Sequence, residues 1–220
     1  MTLRNKSIVI TPEIYSYIVD HGHNLDPLIA ELIEETQRAT GRDSLQSPPE
    51  QTNLMGILAR ATGAREAIEV GTFTGLSALC VARALPADGH LLCLDINAEW
   101  TATARRYWDR AGVGHKITLR LGPALDSLRA LALVKCFDFA YIDADKGNYR
   151  AYYEEVLMRT RTNGLILFDN VLWHGEVADP RIRDPEVLAL RELNDALAAD
   201  RRVDVVMLPM DDGLTIVRKK

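Results

Sequence analysis

The chain has 220 residues and a formal net charge of −5, and 47% of its residues are hydrophobic and 26% are charged. These values are typical of a soluble globular protein and exclude a disordered chain, a fibrous repeat and a disulfide scaffold. The acidic balance argues against nucleic acid as a partner, and no apolar stretch approaches the length that a membrane span needs.

The first 65 residues contain three predicted helices and no strand signal. The helices are predicted at Pro12–Asp20, Pro27–Thr40 and Pro49–Thr62, with Gly41–Pro48 as a loop. Residues 1–10 lack the long apolar core of a signal peptide, so we expect none. We interpret residues 1–65 as a helical N-terminal extension that covers one edge or mouth of a sheet.

From residue 66 the sequence alternates short apolar strands with helices. Strands are predicted at Glu66–Val70, Leu91–Asp95, Ile117–Leu121, Phe137–Ile142 and Leu165–Phe168. Helices are predicted at Leu76–Leu85, Glu99–Ala111, Ala124–Leu133, Tyr149–Thr160 (stopped by Asn163-Gly164) and Pro185–Ala199. This alternation indicates right-handed βαβ units and a mainly parallel sheet.

The last two predicted strands break the alternation. Val203–Leu208 and Leu214–Arg218 are separated only by Pro209–Gly213, which is too short for a parallel crossover. They must form an antiparallel hairpin. We therefore expect residues 1–220 to form one α/β domain, with its core at residues 66–220 and one antiparallel strand at the end of the sheet.

Acidic residues stand at the ends of four predicted parallel strands, namely Glu69, Asp95, Asp143 and Asp169. In open α/β sheets, ligands bind beyond the carboxyl ends of the strands. Any one of these carboxylates could be only a helix cap. Four at one edge of a sheet are better explained by a binding site.

The run Glu69-Val70-Gly71-Thr72-Phe73-Thr74-Gly75 follows a strand and opens a helix. Its glycines allow a tight turn and a close approach of the backbone to a ligand. A dinucleotide site would have a glycine two residues before Gly71. Glu69 at that position would repel a pyrophosphate and suit an ammonium group, and Asp95 can hold ribose hydroxyls. The pattern predicts a nucleoside ligand with a cationic tail.

Asp143, Asp169 and Asn170 offer two carboxylates and one amide oxygen. These hard oxygen donors suit Mg²⁺, which keeps positions open for water or substrate. Lys146 follows Asp143 by three residues, and a divalent cation nearby would disfavour its ammonium form, so that it could act as a base. The alternative is a surface lysine in a βα loop.

Three runs of the sequence resemble the cation-dependent class I O-methyltransferases of the caffeoyl-CoA and catechol type. They are Glu69–Ser77, Tyr141–Lys146 with Tyr149, and Phe168–Pro180. Asp212–Ile216 and Pro48–Gln51 are also similar to that family, and the resemblance extends from about residue 25 to the C-terminus.

The resemblance implies a Rossmann-like class I methyltransferase fold, with a seven-stranded sheet, one antiparallel strand and helices on both faces. It implies S-adenosylmethionine as the methyl donor and Mg²⁺ as the metal, with Mn²⁺ or Ca²⁺ as other occupants. The implied donor-binding residues are Glu69 (ribose or methionyl end), Gly71 and Phe73 (loop), Ser77 (methionine carboxylate), Asp95 (ribose hydroxyls), Ala124 (adenine) and Asp143.

The same resemblance implies Asp143, Asp169 and Asn170 as metal ligands and Lys146 as the base, and we expect Trp173 to shape the acceptor pocket. It also implies a homodimer. Three residues depart from the usual family pattern and concern donor or acceptor details rather than the metal, namely Leu45, Pro123 and His174.

The resulting hypothesis is a Mg²⁺-dependent O-methyltransferase that methylates one hydroxyl of a catechol-like small molecule. Three isolated cysteines, without a CxxC pair, indicate reduced thiols and a cytoplasmic protein. Two alternatives stay open. One is a nicotinamide-dependent oxidoreductase, which Glu69 disfavours, and the other is a non-catalytic module that binds S-adenosylmethionine.

Overall fold

A seven-stranded sheet forms the centre of the computed structural model, which describes residues 8–22, 26–42, 45–134 and 136–220. The strands are β1 (Glu66–Val70), β2 (His90–Asp95), β3 (Ile117–Leu121), β4 (Phe137–Ile142), β5 (Thr160–Phe168), β6 (Val203–Leu208) and β7 (Leu214–Lys219). Their order in the sheet is β3-β2-β1-β4-β5-β7-β6. Strands β1 to β5 pair in parallel, and β7 runs antiparallel to β5 and β6. The predicted Rossmann-like sheet with one reversed strand is confirmed.

Helices cover both faces of this sheet. They are α1 (Pro12–Gly22), α2 (Pro27–Thr40), α3 (Pro49–Ala61), α4 (Leu76–Ala84), α5 (Ala98–Arg110), α6 (Ala124–Arg129), α7 (Tyr149–Arg159) and α8 (Pro185–Ala199). Alternate residues of the inner strands point to opposite faces, so Leu91 packs in the core shared with α2 to α5, and Leu92 packs in the core shared with α6 to α8. A parallel sheet that is buried on both sides needs such continuous apolar strands.

The three N-terminal helices differ in how firmly they pack. Leu32 of α2 and Met55 of α3 are fully buried in the core shared with α4 and α5. Helix α1 buries none of its residues. The structure therefore joins α2 and α3 to the sheet and leaves α1 at the surface.

Two predicted boundaries are wrong by more than two residues. Helix α6 ends at Arg129 rather than at Leu133, and β5 begins at Thr160, directly after α7, rather than at Leu165. Asn163, with a φ of 66°, lies inside β5, where the pairing with β4 shifts register. Residues that favour a left-handed backbone also serve β-bulges. The Asn163-Gly164 pair therefore belongs to a bulged strand and is not a helix stop.

The structure also bears on membrane spans and on the state of the cysteines. Within the described ranges, no helix combines the length and the apolarity that a membrane crossing requires. Cys80, Cys93 and Cys136 are free thiols, and Cys93 is fully buried.

Candidate active site

A cleft of about 1270 Å³ lies at the carboxyl ends of β1, β2, β4 and β5. All but one of the predicted site residues line it, namely Gly71, Phe73, Ser77, Asp95, Ala124, Asp143, Lys146, Asp169, Asn170 and Trp173. A smaller groove of about 460 Å³ at α8, β6 and β7 contains none of them. The fold thus brings together residues that are far apart in sequence.

Gly71 is the point at which the loop after β1 meets the end of β4. Its φ of 87° is left-handed, and an added Cβ would lie 1.8 Å from the carbonyl oxygen of Asp143. Any side chain at this position would collide with backbone. The glycine therefore sets the loop after β1 directly against Asp143, and it joins the predicted donor region to the predicted metal region.

Asp95 holds the loop that follows Gly71. Its Oδ2 accepts hydrogen bonds from the backbone N–H groups of Thr72 and Phe73, each at 2.8 Å. Its Oδ1 accepts one from the N–H of Asn97 at 2.7 Å. Asp95 was predicted to bind ribose hydroxyls, and this contact with the loop was not predicted. Its carboxylate has further lone pairs for a ligand.

Glu69 is the predicted site residue that does not line the cleft. It is fully buried at the end of β1, and neither carboxylate oxygen accepts a hydrogen bond from the described residues. Burial raises the pKa of Glu69 well above its usual range, and the nearby hydroxyls of Ser77 and Thr72 offset this only in part. A buried carboxylate without partners is costly. This orphaned acceptor beside the glycine loop fits a ligand that brings a donor or a positive charge.

An aromatic pair forms one wall of the cleft. Phe73, with a φ of 51°, meets Trp100 of α5 edge to face at a ring distance of 4.9 Å. The guanidinium of Arg42 lies 5.9 Å from the centre of the Trp100 ring. Trp100 and Arg42 were not predicted, because α5 and the loop after α2 reach the cleft only through tertiary packing. Such a wall suits a flat ring.

Lys146 contacts two of the three predicted metal ligands. Its Nζ lies 3.1 Å from Asp143 Oδ1 and 2.7 Å from Asn170 Oδ1, and it donates a hydrogen bond to the hydroxyl of Tyr149 at 2.6 Å. Only 5% of Lys146 is exposed. The surface-lysine alternative is therefore wrong. Its amine stands at the centre of the set of oxygen donors.

Asp169 is the most deeply buried of the predicted ligands. Its Oδ2 accepts hydrogen bonds from Gln51 Nε2 at 2.7 Å and from the hydroxyl of Tyr141, and its Oδ1 accepts one from the N–H of Asn170 at 2.8 Å. Burial, followed by the charge of Asp143, raises the pKa of Asp169 to about 7. Gln51 and Tyr141 lie in runs that resemble the family, although neither was predicted as a site residue.

The donor set can be tested against a divalent cation. In the part of the chain that the structure describes, no group of three or more His, Cys, Asp or Glu side chains forms a metal site. The predicted set instead combines two carboxylates with the amide oxygen of Asn170. Two of these oxygens, Asp143 Oδ1 and Asn170 Oδ1, already contact the amine of Lys146. Hard oxygen donors of this kind fit Mg²⁺.

Trp173 lies on the same side of the cleft as Lys146. Its ring centre is 5.7 Å from Lys146 Nζ, and its φ of 45° belongs to a tight turn in the 3-10 helix Trp173–Ala178. The backbone N–H of His174 donates to Asp212 Oδ1 at 2.5 Å, so the hairpin loop after β6 fixes this turn. Leu45, Pro123 and His174, which depart from the usual family pattern, all line the cleft.

Comparisons with known proteins give a consistent result. The family model described as O-methyltransferase matches residues 19–220. A protein of Dictyostelium discoideum named "Probable caffeoyl-CoA O-methyltransferase 1" is 40% identical over 210 residues, which cover 94% of this chain and 91% of that protein. "Catechol O-methyltransferase domain-containing protein 1" of Mus musculus is 38% identical, with 98% of this chain and 84% of that protein covered.

A solved structure agrees with these sequence matches. The O-methyltransferase of Bacillus cereus, in complex with SAH (S-adenosylhomocysteine), superposes with a TM-score of 0.87 at 30% identity. The match covers 94% of this chain and 97% of that chain. The described fold is thus similar to that of a protein whose solved structure holds the demethylated form of the predicted donor.

Proposed function

The chain belongs to the O-methyltransferase family, in its class I caffeoyl-CoA and catechol group, and we propose that it transfers the methyl group of S-adenosylmethionine to one hydroxyl of an ortho-dihydroxy aromatic small molecule with the help of Mg²⁺. The observation that carries the proposal is the position of Lys146, whose amine contacts Asp143 and Asn170 beside the glycine loop. A base, two metal ligands and the donor loop meet there.

Four residues would contact the donor. Glu69 offers a buried acceptor without a partner, and Asp95 has carboxylate lone pairs at the edge of the cleft. Phe73 and Trp100 offer an aromatic wall. The nicotinamide alternative fits less well, because a buried carboxylate at the turn would repel a pyrophosphate.

Three side chains would hold the metal, namely Asp143, Asp169 and Asn170. When bound, the donor supplies an electrophilic methyl group, and the divalent cation supplies positive charge that favours the ionised form of an acceptor hydroxyl. Mg²⁺ prefers about six oxygens. If each of the three side chains binds through one atom, about three positions stay open, enough for the two oxygens of a vicinal diol.

Lys146 would receive the proton of the attacked hydroxyl at Nζ. Asp143 Oδ1, Asn170 Oδ1 and the hydroxyl of Tyr149 all lie within hydrogen-bond distance of that nitrogen and orient it in the cleft. Tyr149 itself stays protonated and does not serve as the base, because burial raises the pKa of its phenol well above the usual range. Its hydroxyl contacts the backbone oxygen of Asp169 at 3.2 Å, which leaves a lone pair for Lys146.

The proposal extends to the surroundings of the enzyme. We expect a small-molecule aromatic acceptor, with no nucleic acid and no membrane as partner. The homodimer and the cytoplasmic location stay predictions. Analytical ultracentrifugation of the full chain would measure the first of these.

One experiment tests the proposed reaction. We would compare kcat/KM for a catechol and for its monophenol analogue at saturating S-adenosylmethionine and Mg²⁺. The catechol should react faster by orders of magnitude and be methylated once, because a monophenol offers one oxygen and loses chelation and orientation together. Similar kcat/KM values for both acceptors would contradict chelation of the acceptor by the metal. Full turnover in EDTA would contradict the dependence of the reaction on a metal. Donor binding without methyl transfer to any acceptor would favour a non-catalytic module.

A further inference from the structure

Gln51 is a polar residue at a position where helix packing calls for an apolar one. It stands in the first turn of α3 and is 0% exposed, next to the buried apolar residues Met55 and Ala59 of the same helix. Its Oε1 is buried, and within the described residues it has no hydrogen-bond partner. An amide that is buried with one end unsatisfied destabilises a helix contact. The stability of α3 therefore does not explain this residue.

The other end of the Gln51 amide reaches the proposed metal site. Its Nε2 donates to Asp169 Oδ2 at 2.7 Å and to the hydroxyl oxygen of Tyr141 at 3.1 Å. The two residues of the shorter contact are 118 positions apart in the sequence. Both hydrogens of the amide are thus directed at one carboxylate and at the phenol beside it.

Tyr141 completes the arrangement from the sheet. Its side chain is 1% exposed at the end of β4, and its hydroxyl donates to Asp169 Oδ2. Because that hydroxyl has one hydrogen, it must accept from its other neighbours, which are Gln51 Nε2 and Ser47 Oγ at 2.8 Å. Every lone pair and hydrogen of the phenol is then used. One orientation of the Asp169 carboxylate satisfies the whole network.

The backbone fixes the other oxygen of the carboxylate. Asp169 Oδ1 accepts from the N–H of Asn170 at 2.8 Å. Three donors from three parts of the chain, namely α3, β4 and the loop after β5, therefore converge on one side chain. A ligand carboxylate that is held in this way keeps its geometry when a metal arrives, which lowers the cost of ordering it.

We propose that Gln51 and Tyr141 are positioning residues that hold Asp169 in its metal-binding orientation, so that helix α3 of the N-terminal region is part of the metal site. The inference rests on the proposed metal dependence of the enzyme and adds residues from outside the predicted ligand set. It also assigns a function to the Pro48–Gln51 run. That run begins α3, and Gln51 is the third residue of the helix.

A second glutamine provides a matched control. Gln46 Nε2 also donates to two side-chain oxygens, Thr36 Oγ1 at 2.9 Å and Thr74 Oγ1 at 3.1 Å. Its Oε1 is likewise buried and without a partner among the described residues. The two amides differ in what they hold, since Gln46 contacts threonines of α2 and of the glycine loop rather than a metal ligand.

The experiment measures metal affinity directly. Mn²⁺ would be titrated into the full-length protein with saturating S-adenosylhomocysteine and followed by electron paramagnetic resonance. The proteins would be the wild type, Gln51→Leu, Tyr141→Phe and Gln46→Leu. We expect Mn²⁺ binding to weaken about 10- to 100-fold in Gln51→Leu and in Tyr141→Phe. The Kd of Gln46→Leu for Mn²⁺ should stay within about threefold of wild type.

The affinity for S-adenosylhomocysteine, measured by calorimetry without metal, separates positioning from general damage. It should stay within about threefold of wild type in Gln51→Leu and Tyr141→Phe. Equal losses of donor and metal affinity in both variants would overturn the proposal, and so would unchanged Mn²⁺ binding. Tyr141→Phe removes a single oxygen, so it keeps the test decisive if Gln51→Leu does not fold. A wild-type protein that binds the donor but no Mn²⁺ would overturn the proposed metal dependence as well.

Discussion

Carboxylates occupy opposite electrostatic environments in two regions of this molecule. At the cleft, burial raises the pKa of Glu69 and Asp169. Where α2 meets α5, Glu35 contacts the guanidinium of Arg106 and the hydroxyl of Tyr107 at 2.7 Å, and hydrogen bonds with these two groups lower the pKa of Glu35 to about 2. At the cleft, burial outweighs the positive charge nearby and favours the neutral form of these carboxyl groups, whereas the guanidinium between the helices favours the ionised form of Glu35.

The direction of the pKa shift distinguishes carboxyl groups that serve ligand binding from carboxyl groups that stabilise the fold. An ionised carboxylate with a raised pKa destabilises the folded state, whereas one with a lowered pKa stabilises it. When carboxyl groups of the first kind lie at strand ends, a positively charged ligand that binds there favours their ionised form and relieves this cost. Removal of charge from the two regions should therefore change stability in opposite directions, and only one of the two changes should affect activity.

Asp169→Asn should give the largest effect. Loss of one charged ligand should reduce kcat/KM about 10³-fold or more, because a catalytic metal contributes several kcal/mol to the transition state. The remaining activity should not respond to EDTA. The measurement is steady-state kinetics with the preferred catechol, with and without added Mg²⁺, and activity near the wild-type level would contradict the ligand assignment.

The stability of the same variant relative to wild type should depend on pH. The folded-state pKa of Asp169 is about 7, above the ordinary value of 3.8, so its ionised form destabilises the wild type increasingly as pH rises between these values. We expect the stability of Asp169→Asn relative to wild type to be greater at pH 8 than at pH 5. Urea unfolding in EDTA at both pH values measures this, and the reverse trend would contradict the argument from burial.

Substitution of Lys146 tests whether its charge or its basicity matters. Both Lys146→Met and Lys146→Arg should lower kcat about 10²- to 10⁴-fold, as expected for loss of a general base. Arginine keeps the positive charge but stays protonated. The affinity for S-adenosylhomocysteine should be retained in both variants. Near wild-type kcat in Lys146→Arg would show that only the charge is needed beside Asp143 and Asn170.

Asp95→Asn should have a smaller effect that is confined to the donor. Loss of charge-assisted hydrogen bonds costs roughly 1.5–3 kcal/mol, or about ten- to over a hundredfold in Kd. We expect calorimetry to show S-adenosylhomocysteine binding weakened by this factor. The affinity for Mn²⁺ should be retained. Unchanged donor binding would mean that Asp95 serves only to hold Thr72 and Phe73.

The sheet and the strand-end residues could be predicted because both follow from local rules. Alternation of strands and helices implies parallel pairing, and a loop as short as Pro209–Gly213 forces a hairpin. Since parallel strands end at one edge, Asp143 and Asp169 had to lie near each other. Gln51 and Trp100 could not be placed, because the approach of α3 and α5 to that edge depends on packing across the whole core. The start of β5 was predicted too late, at Leu165, because Asn163-Gly164 suits a bulge inside a strand as well as a helix stop.

Glu35→Gln should have the smallest effect and the opposite sign in stability. The lowered pKa means that the ionised carboxylate stabilises the fold above pH 4.5 and that this contribution is lost as pH falls towards about 2. Because the contact with Arg106 is half-exposed, we expect Glu35→Gln to lower the free energy of unfolding by about 0.5–1 kcal/mol at pH 7. The difference from wild type should be smaller at pH 4, and kcat/KM should be retained. Glu34→Gln, an exposed neighbour on α2 with no ion pair among the described residues, is the control and should not change stability. Urea unfolding at both pH values measures these differences. Equal stability of Glu35→Gln and wild type at pH 7 would mean that the contact between α2 and α5 depends on apolar packing. Charge in this protein would then matter mainly at the cleft.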